Sequence, residues 1–315
     1  MKRSTFVAAS TAFAGAPSVV RAQSLTKLRI AATTSGDIIV ALWAAQGGIF
    51  QKYGIDGDVG RMNSSAAVTA AVLGGSLDIG KATFFALVLA HSKGLPIMLE
   101  APSALYRTAA PDSALVVAKD SPIRSARDLN GKLLASASLG DLFSTVNAAW
   151  IDQNGGDSRS VKYVELPASA TATAIVAGRV DAGMLADPAL SEAVKSGKCR
   201  VIGHPEDVLG KVSIATAYFT TADFAAKNPA AMAGFRKAMD ESAAYVKAHP
   251  ADALPLVAKF SLVDLSMVLV PSLARAPDLL DASVTQPTID AAAKYKAIEK
   301  PFSFKEMIDP NAFKS

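Results

Sequence analysis

Three histidines and one cysteine bound the chemistry open to this chain of 315 residues. His91, His204 and His249 are isolated, so no metal site is expected. Cys199 is the only cysteine, which rules out an intrachain disulfide and a cysteine-built metal centre; with Arg200, Val201 and Ile202 after it, it reads as packing in a strand. The functional reading therefore rests on aspartates and small polar residues, and two aspartates stand out. Asp78 lies in Leu73-Gly74-Gly75-Ser76-Leu77-Asp78-Ile79-Gly80, and Asp181 lies in Val176-Ala177-Gly178-Arg179-Val180-Asp181-Ala182-Gly183. Both stretches read apolar-x-Gly-x-apolar-Asp-x-Gly, and the aspartates are 103 residues apart. That spacing is about the length of a small domain and points to two similar lobes.

Each copy follows an Ala/Val-rich stretch of helical character, residues 65–73 and 169–176. A glycine after a helix takes the left-handed conformation without a Cβ penalty. The apolar-Asp-apolar-Gly run then suits a short buried strand. Each copy is thus expected to be helix, stop, strand, and a loop at the strand's carboxyl end, where open α/β sheets bind ligands. Those loops are Lys81-Ala82-Thr83-Phe84 and Met184-Leu185-Ala186-Asp187-Pro188, expected to face each other across a cleft.

The elements that must position these loops run in parallel order. In the first half, strand 28–32 leads through Thr33-Thr34-Ser35-Gly36-Asp37 into helix 38–46. This corner is either a ligand site or simply a helix cap. Strand 58–61, the cap Met62-Asn63-Ser64-Ser65, helix 84–92 and strand 97–101 follow. In the second half, strand 133–136, the cap Ser138-Leu139-Gly140-Asp141, helix 142–153 and strand 161–165 lead to the second copy. Strands 114–118, 198–202 and 212–220 and long helical runs over 222–247, broken at His249-Pro250, complete the pattern. The chain is expected to cross between lobes near Lys119 and to return in 212–220. That gives lobe I as 23–119 plus 214–315 and lobe II as 120–213.

Residues 1–22 read as an export signal: Lys2 and Arg3, a mildly apolar run from Phe6 to Val20, and Val20-Arg21-Ala22 before a cleavage point at Gln23. The arginine pair of the twin-arginine route is absent, which favours general export. The chain carries a formal charge of +4, and losing Lys2, Arg3 and Arg21 leaves +1. No basic cluster interleaved with aromatics occurs, so no nucleic-acid partner is expected.

The export signal, Phe50 to Gly54, Gly75 to Gly80, Asp128-Leu129-Asn130-Gly131-Lys132, Gly178 to Gly183 with Asp187-Pro188, and Phe224 to Pro229 occur in this order. Together they resemble the solute-binding proteins of ABC importers for nitrate, sulfonates, taurine and thiamine-precursor pyrimidines. The resemblance implies a type II periplasmic-binding fold: two α/β lobes, two crossing strands and an enclosed ligand. It implies a monomeric periplasmic protein without cofactor that closes on a small organic solute and docks on an inner-membrane permease. Carried over residue by residue, it puts the ligand corners at Ser35, Asp37, Ser64, Ser65, Thr83, Ser138, Gly140 and Asp187. Among these corners only Lys81 is basic, so a doubly charged anion fits poorly. A solute with N–H donors or an amino group, or a singly charged acid held by backbone N–H groups, fits better. Arg107 would supply a salt bridge if it reached the cleft, but it reads as an exposed loop residue outside it, and Trp43 and Phe84 serve either ligand stacking or core packing. A ligand sensor on the same fold remains an alternative. So, more distantly, does a pyrimidine-forming enzyme, which would need a clustered cysteine motif and a catalytic histidine that this chain lacks.

Overall fold

A computed structural model describes residues 25–33, 35–62, 64–136, 139–262, 264–265 and 282–308. The export signal and Ser138 lie outside the described residues.

Among the described residues, ten strands form two five-stranded sheets of the same plan. The first contains β1 (Thr26–Ala32), β2 (Ile55–Arg61), β3 (Ile79–Thr83), β4 (Ile97–Arg107) and β10 (Val212–Thr221), in the order β2-β1-β3-β10-β4. The second contains β5 (Ser113–Ala118), β6 (Leu133–Ser136), β7 (Lys162–Glu165), β8 (Ala182–Ala186) and β9 (Cys199–Gly203), in the order β7-β6-β8-β5-β9. In each, three strands run parallel and the fourth, arriving from a crossing, runs antiparallel to its neighbours.

The repeat is structural. The same 103-residue offset that separates Asp78 from Asp181 carries helix α3 (Ser65–Leu73) onto α6 (Ala168–Val176) and β3 onto β8. Asp78 accepts the backbone N–H of Arg29 in β1 at 2.8 Å, and Asp181 accepts that of Leu133 in β6 at 2.9 Å. Each aspartate thus pins the neighbouring parallel strand, a structural job rather than a ligand contact. The following glycines let the helix sit on the strand. A Cβ on Gly80 would lie 2.6 Å from Val68, and one on Gly183 would lie 2.7 Å from Thr171, its counterpart in α6.

The first crossing comes earlier than Lys119. β4 continues to Arg107 and β5 already pairs with β8 and β9, so the chain changes sheets over residues 108–112. Residues 113–117 are buried throughout, and such a run carries no local mark of the sheet it belongs to. Its partners come much later in the chain.

Around lobe I lie α1 (Ile39–Gln46), α2 (Ile49–Lys52), α4 (Phe84–Ser92), α8 (Ala222–Lys227), α9 (Pro229–Ala248), α10 (Pro250–Ser261) and α11 (Ala282–Lys294). The long α9 buries its apolar stripe, Met232, Phe235 and Met239, against α1 and α2. Lobe II carries α5 (Leu142–Gln153), α6 and α7 (Ala189–Lys195). The lobes also touch outside the crossings: Leu142 of α5 packs on the core cluster of lobe I, and the Tyr295 hydroxyl donates to Asp152 at 3.1 Å.

Gly80→Ala and Gly183→Ala should each destabilise the protein by about 1–3 kcal/mol through overpacking. Thermal denaturation should show both; a wild-type melting temperature in either would contradict the helix–strand contact described.

Candidate functional site

The site is built at the carboxyl ends of the parallel strands, where both crossings leave lobe I. Its centre is Asp37, in the turn Gly36–Ile38 between β1 and α1, 3% exposed. Lys81 of β3, fully buried, donates from Nζ to Asp37 Oδ1 at 2.5 Å and to Ser35 Oγ at 2.7 Å. The Ser35 hydroxyl donates to Asp37 Oδ1 at 2.6 Å. The other carboxylate oxygen accepts from Ser103 of β4 at 2.9 Å and from Thr216 of β10 at 2.5 Å. One carboxylate therefore joins the β1 corner, β3 and both crossing strands. Burial alone would raise the Asp37 carboxyl; attraction to Lys81 and the hydrogen bonds from Lys81, Ser35 and Thr216 outweigh it and hold the group below its ordinary value. Ser35 and Asp37 thus form one unit with Lys81, and the cap reading alone does not describe them: Ser35 makes no side-chain cap.

The other lobe I candidates gather at two helix starts. Ser64 caps α3 by accepting Ala67 N–H at 3.1 Å, and Thr83 caps α4 by accepting Ala86 N–H at 3.4 Å. Ser65 Oγ accepts Thr83 N–H at 3.3 Å and ties the two starts together. Ser64 and Thr83 are exposed, Ser65 half-buried.

In lobe II, Asp141 caps α5 by accepting Ser144 N–H at 2.8 Å and takes a hydrogen bond from Ser136 at 2.9 Å. Gly140 before it is exposed, with φ +74°. Asp187 follows β8, precedes a cis proline, and accepts Ser191 N–H in α7 at 3.0 Å. Its own N–H donates to the Asp112 carbonyl at 2.8 Å.

Asp112, which the sequence reading did not single out, links the jaws. Burial raises its carboxyl, and the charges of Asp187 in lobe II and Asp37 in lobe I both push it further up. The sequence reading missed it because it placed the crossing seven residues later. Ser103 and Thr216 were missed for a related reason: single hydroxyls in apolar strands look like ordinary alternation until strand pairing brings them to one carboxylate.

Other expectations change. Arg107 is no loop residue: it ends β4, half-buried and paired with Val212 of β10. Phe84 is fully buried in the lobe I core, and Trp43 stacks on Tyr245 with centroids 4.5 Å apart, so both serve packing. A groove of about 430 Å³ runs between α6 and α7 past Cys199; none of the candidate residues lines it. Among the described residues, no group of histidines, cysteines and carboxylates is arranged to hold a metal.

Two lobes of one plan, bridged by two crossings, can be compared with known proteins. A family model described as "NMT1/THI5 like" matches residues 35–253, more than half of the chain. The chain belongs to the NMT1/THI5-like family. No curated protein matches it in sequence. Among solved structures, the NMT1/THI5-like chain is similar to the periplasmic aliphatic sulphonate binding protein SsuA of Escherichia coli: 20% identity, 90% of this chain and 92% of that one covered, TM-score 0.72. It is similar to the alkanesulfonate-binding protein SsuA of Xanthomonas axonopodis pv. citri bound to MOPS: 19% identity, coverage 90% and 98%, TM-score 0.68. It is also similar to the periplasmic nitrate-binding protein NrtA of Synechocystis PCC 6803: 13% identity, coverage 81% and 72%, TM-score 0.61. At these identities the likeness establishes the periplasmic-binding-protein fold.

Asp37→Ala should strand the buried Lys81 charge and destabilise the protein by about 3–5 kcal/mol. The double variant Asp37→Ala/Lys81→Met should recover most of that loss. Urea denaturation of the two single variants and the double tests the coupling; additive losses would mean the pair does not act as a unit.

Proposed function

We propose that the protein is the exported solute-binding component of an ABC importer, taking a small organic solute between its lobes and presenting the closed form to an inner-membrane permease. The observation that carries this reading is the architecture itself: two sheets of one plan are joined by two crossings, and at the first crossing Asp187, at the end of a lobe II strand, donates its N–H to the Asp112 carbonyl at 2.8 Å. A solute in contact with both lobes completes its contacts only when they are closed, so binding shifts the population toward the closed form. The ligand corners are Ser35, Asp37, Ser64, Ser65, Thr83, Ser138, Gly140 and Asp187, with Asp112 added. Periplasmic location, cleavage near Ala22 and a monomeric state belong to the same reading.

The charge distribution supports a ligand with an amino group or N–H donors. The lobe II corners, residues 109–112, 137–141, 165–169 and 186–190, contain Asp112, Asp141, Glu165 and Asp187 and no lysine or arginine. The helix starts that would otherwise receive an anion are occupied by the chain's own oxygens, from Ser64, Thr83, Asp141 and Asp187. Lys81, the basic residue of the lobe I corners, is neutralised by Asp37. Inorganic nitrate therefore suits this cleft less well than an aminopyrimidine, an amine or an aminosulfonate such as taurine.

Thermal shift with these solute classes tests the reading. A ligand at one hundred times its Kd should add about 2.7 kcal/mol and raise the melting temperature by several degrees. Asp187→Asn retains the oxygen that caps α7. It should weaken an amino ligand about tenfold and leave the unliganded melting temperature near that of wild type. No shift with any class would count against a solute-binding role; an unchanged affinity would remove Asp187 from the site.

A further inference from the structure

The cleft reading leaves unused a deeply buried acid beside the hinge. Glu206 lies in the short turn Pro205–Leu209, just ahead of the second crossing, and is 5% exposed. With its neighbours it makes a clasp across the first crossing. Asp207 Oδ1 accepts from the Tyr106 hydroxyl at 2.9 Å and from Thr108 at 2.7 Å, both before the point where the chain changes sheets. Glu206 accepts from the Ser113 hydroxyl, and His204 Nδ1 meets the Ser113 carbonyl at 3.0 Å, both just after it. One turn therefore grips the crossing on its lobe I side and on its lobe II side. The chain between those grips, residues 109–112, is where the first crossing must absorb any rotation of the lobes.

We propose that the turn His204–Asp207 is a proton-operated latch on the hinge. With Glu206 protonated, the turn holds both sides of the crossing and fixes the lobes as they stand; with Glu206 ionised, the hold loosens and the hinge is freed. This rests on the lobes moving as the proposed function requires.

The physical basis is a carboxyl that is hard to ionise in place. Burial pushes the Glu206 group up to about 7; Asp112 and Asp207 push in the same direction, and the hydrogen bond from Ser113 opposes them. The titratable groups around it are Asp112 ahead of β5, Asp207 and His204 in the turn, and Tyr106 from β4. The helices packed on the turn carry Asp152 in α5 and Asp290 and Lys294 in α11, and Lys211 follows the turn; the charges that bear on Glu206 are Asp112 and Asp207. The sign follows from linkage. A group whose folded value is raised stabilises the arrangement fully below its unfolded value, near 4.5, and that contribution is lost as pH rises through about 7. Above neutrality a buried anion faces two other carboxylates, and any motion that lets water reach it is favoured.

The test measures the distance between the lobes in the ligand-free mature protein. Spin labels go on the exposed positions Lys27 and Arg159 as Lys27→Cys and Arg159→Cys, with native Cys199 left buried. The expected result is one narrow distance at pH 5.5 and a broadened or second population at pH 8.5, with a midpoint near 7. Glu206→Gln should stay narrow at both pH values. Ser113→Ala removes the hydrogen bond that favours the anion and should move the midpoint upward. His204→Asn should leave it in place. A wild-type distance unchanged between pH 5.5 and 8.5, a transition that survives Glu206→Gln, or one abolished by His204→Asn instead would each overturn the latch. If Glu206→Gln does not fold, the midpoint of Ser113→Ala decides. The ligand screen is independent, so a failed latch and a failed solute-binding role give different results.

Discussion

The arrangement depends on one buried ion pair. Asp37 and Lys81 are both withdrawn from water, and an isolated charge in such a place is untenable. The pair is viable because its geometry is complete: the carboxylate receives hydrogen bonds from Lys81, Ser35, Ser103 and Thr216. A well-packed apolar pair of the same volume could match it in stability. An apolar pair could not fix the β1 corner, the tip of β3 and both crossing strands to a single point. The ion pair sets position where the strand ends of lobe I meet the hinge, so the orientation of Ser35 and the direction in which the crossings leave the lobe are settled together.

Much of the plan was legible because the chain states it twice. The helix–glycine–strand unit carries its own local signals, a C-terminal glycine and a short apolar strand with one aspartate. The 103-residue offset holds residue for residue across α3/α6 and β3/β8. The two repeated aspartates turned out to pin neighbouring strands and not to touch the cleft. Sequence similarity between the halves marks what both lobes need in order to fold, and the proposed ligand corners lie where the halves differ. Lys81 falls at the position that Met184 holds in lobe II, and no ion pair equivalent to Asp37–Lys81 is found at that position among the described residues.

What could not be read depended on pairing between distant strands. Residues 113–117 are buried throughout and fit either sheet until β8 and β9 are in place, so the hinge was put too late and Asp112 was left on the wrong side of it. The clasp at Glu206 and Asp207 was hidden for the same reason: its partners Tyr106, Thr108 and Ser113 are about a hundred residues away. Local capping, by contrast, was well marked, as at Ser64 and Asp141, because a cap is an agreement between residues three apart.

Those caps bear on what the cleft can hold. A helix start is a good anion site when its N–H groups are free. Here α3, α4, α5 and α7 each give an N–H to an oxygen of the chain itself, and in α5 and α7 that oxygen belongs to a carboxylate. On the proposed reading, the same fold would be turned from anion capture toward amino-group capture without moving a strand, by placing aspartate where the anion would sit. The change is confined to the lobe II corners, since lobe I keeps its own charges balanced within the Asp37–Lys81 pair. On the proposed reading, one jaw is nearly neutral and the other acidic, so an amino solute would be drawn first to lobe II. Lobe I would then supply hydroxyls and backbone groups as the hinge folds over, which would divide the work between attraction on one side and shape on the other.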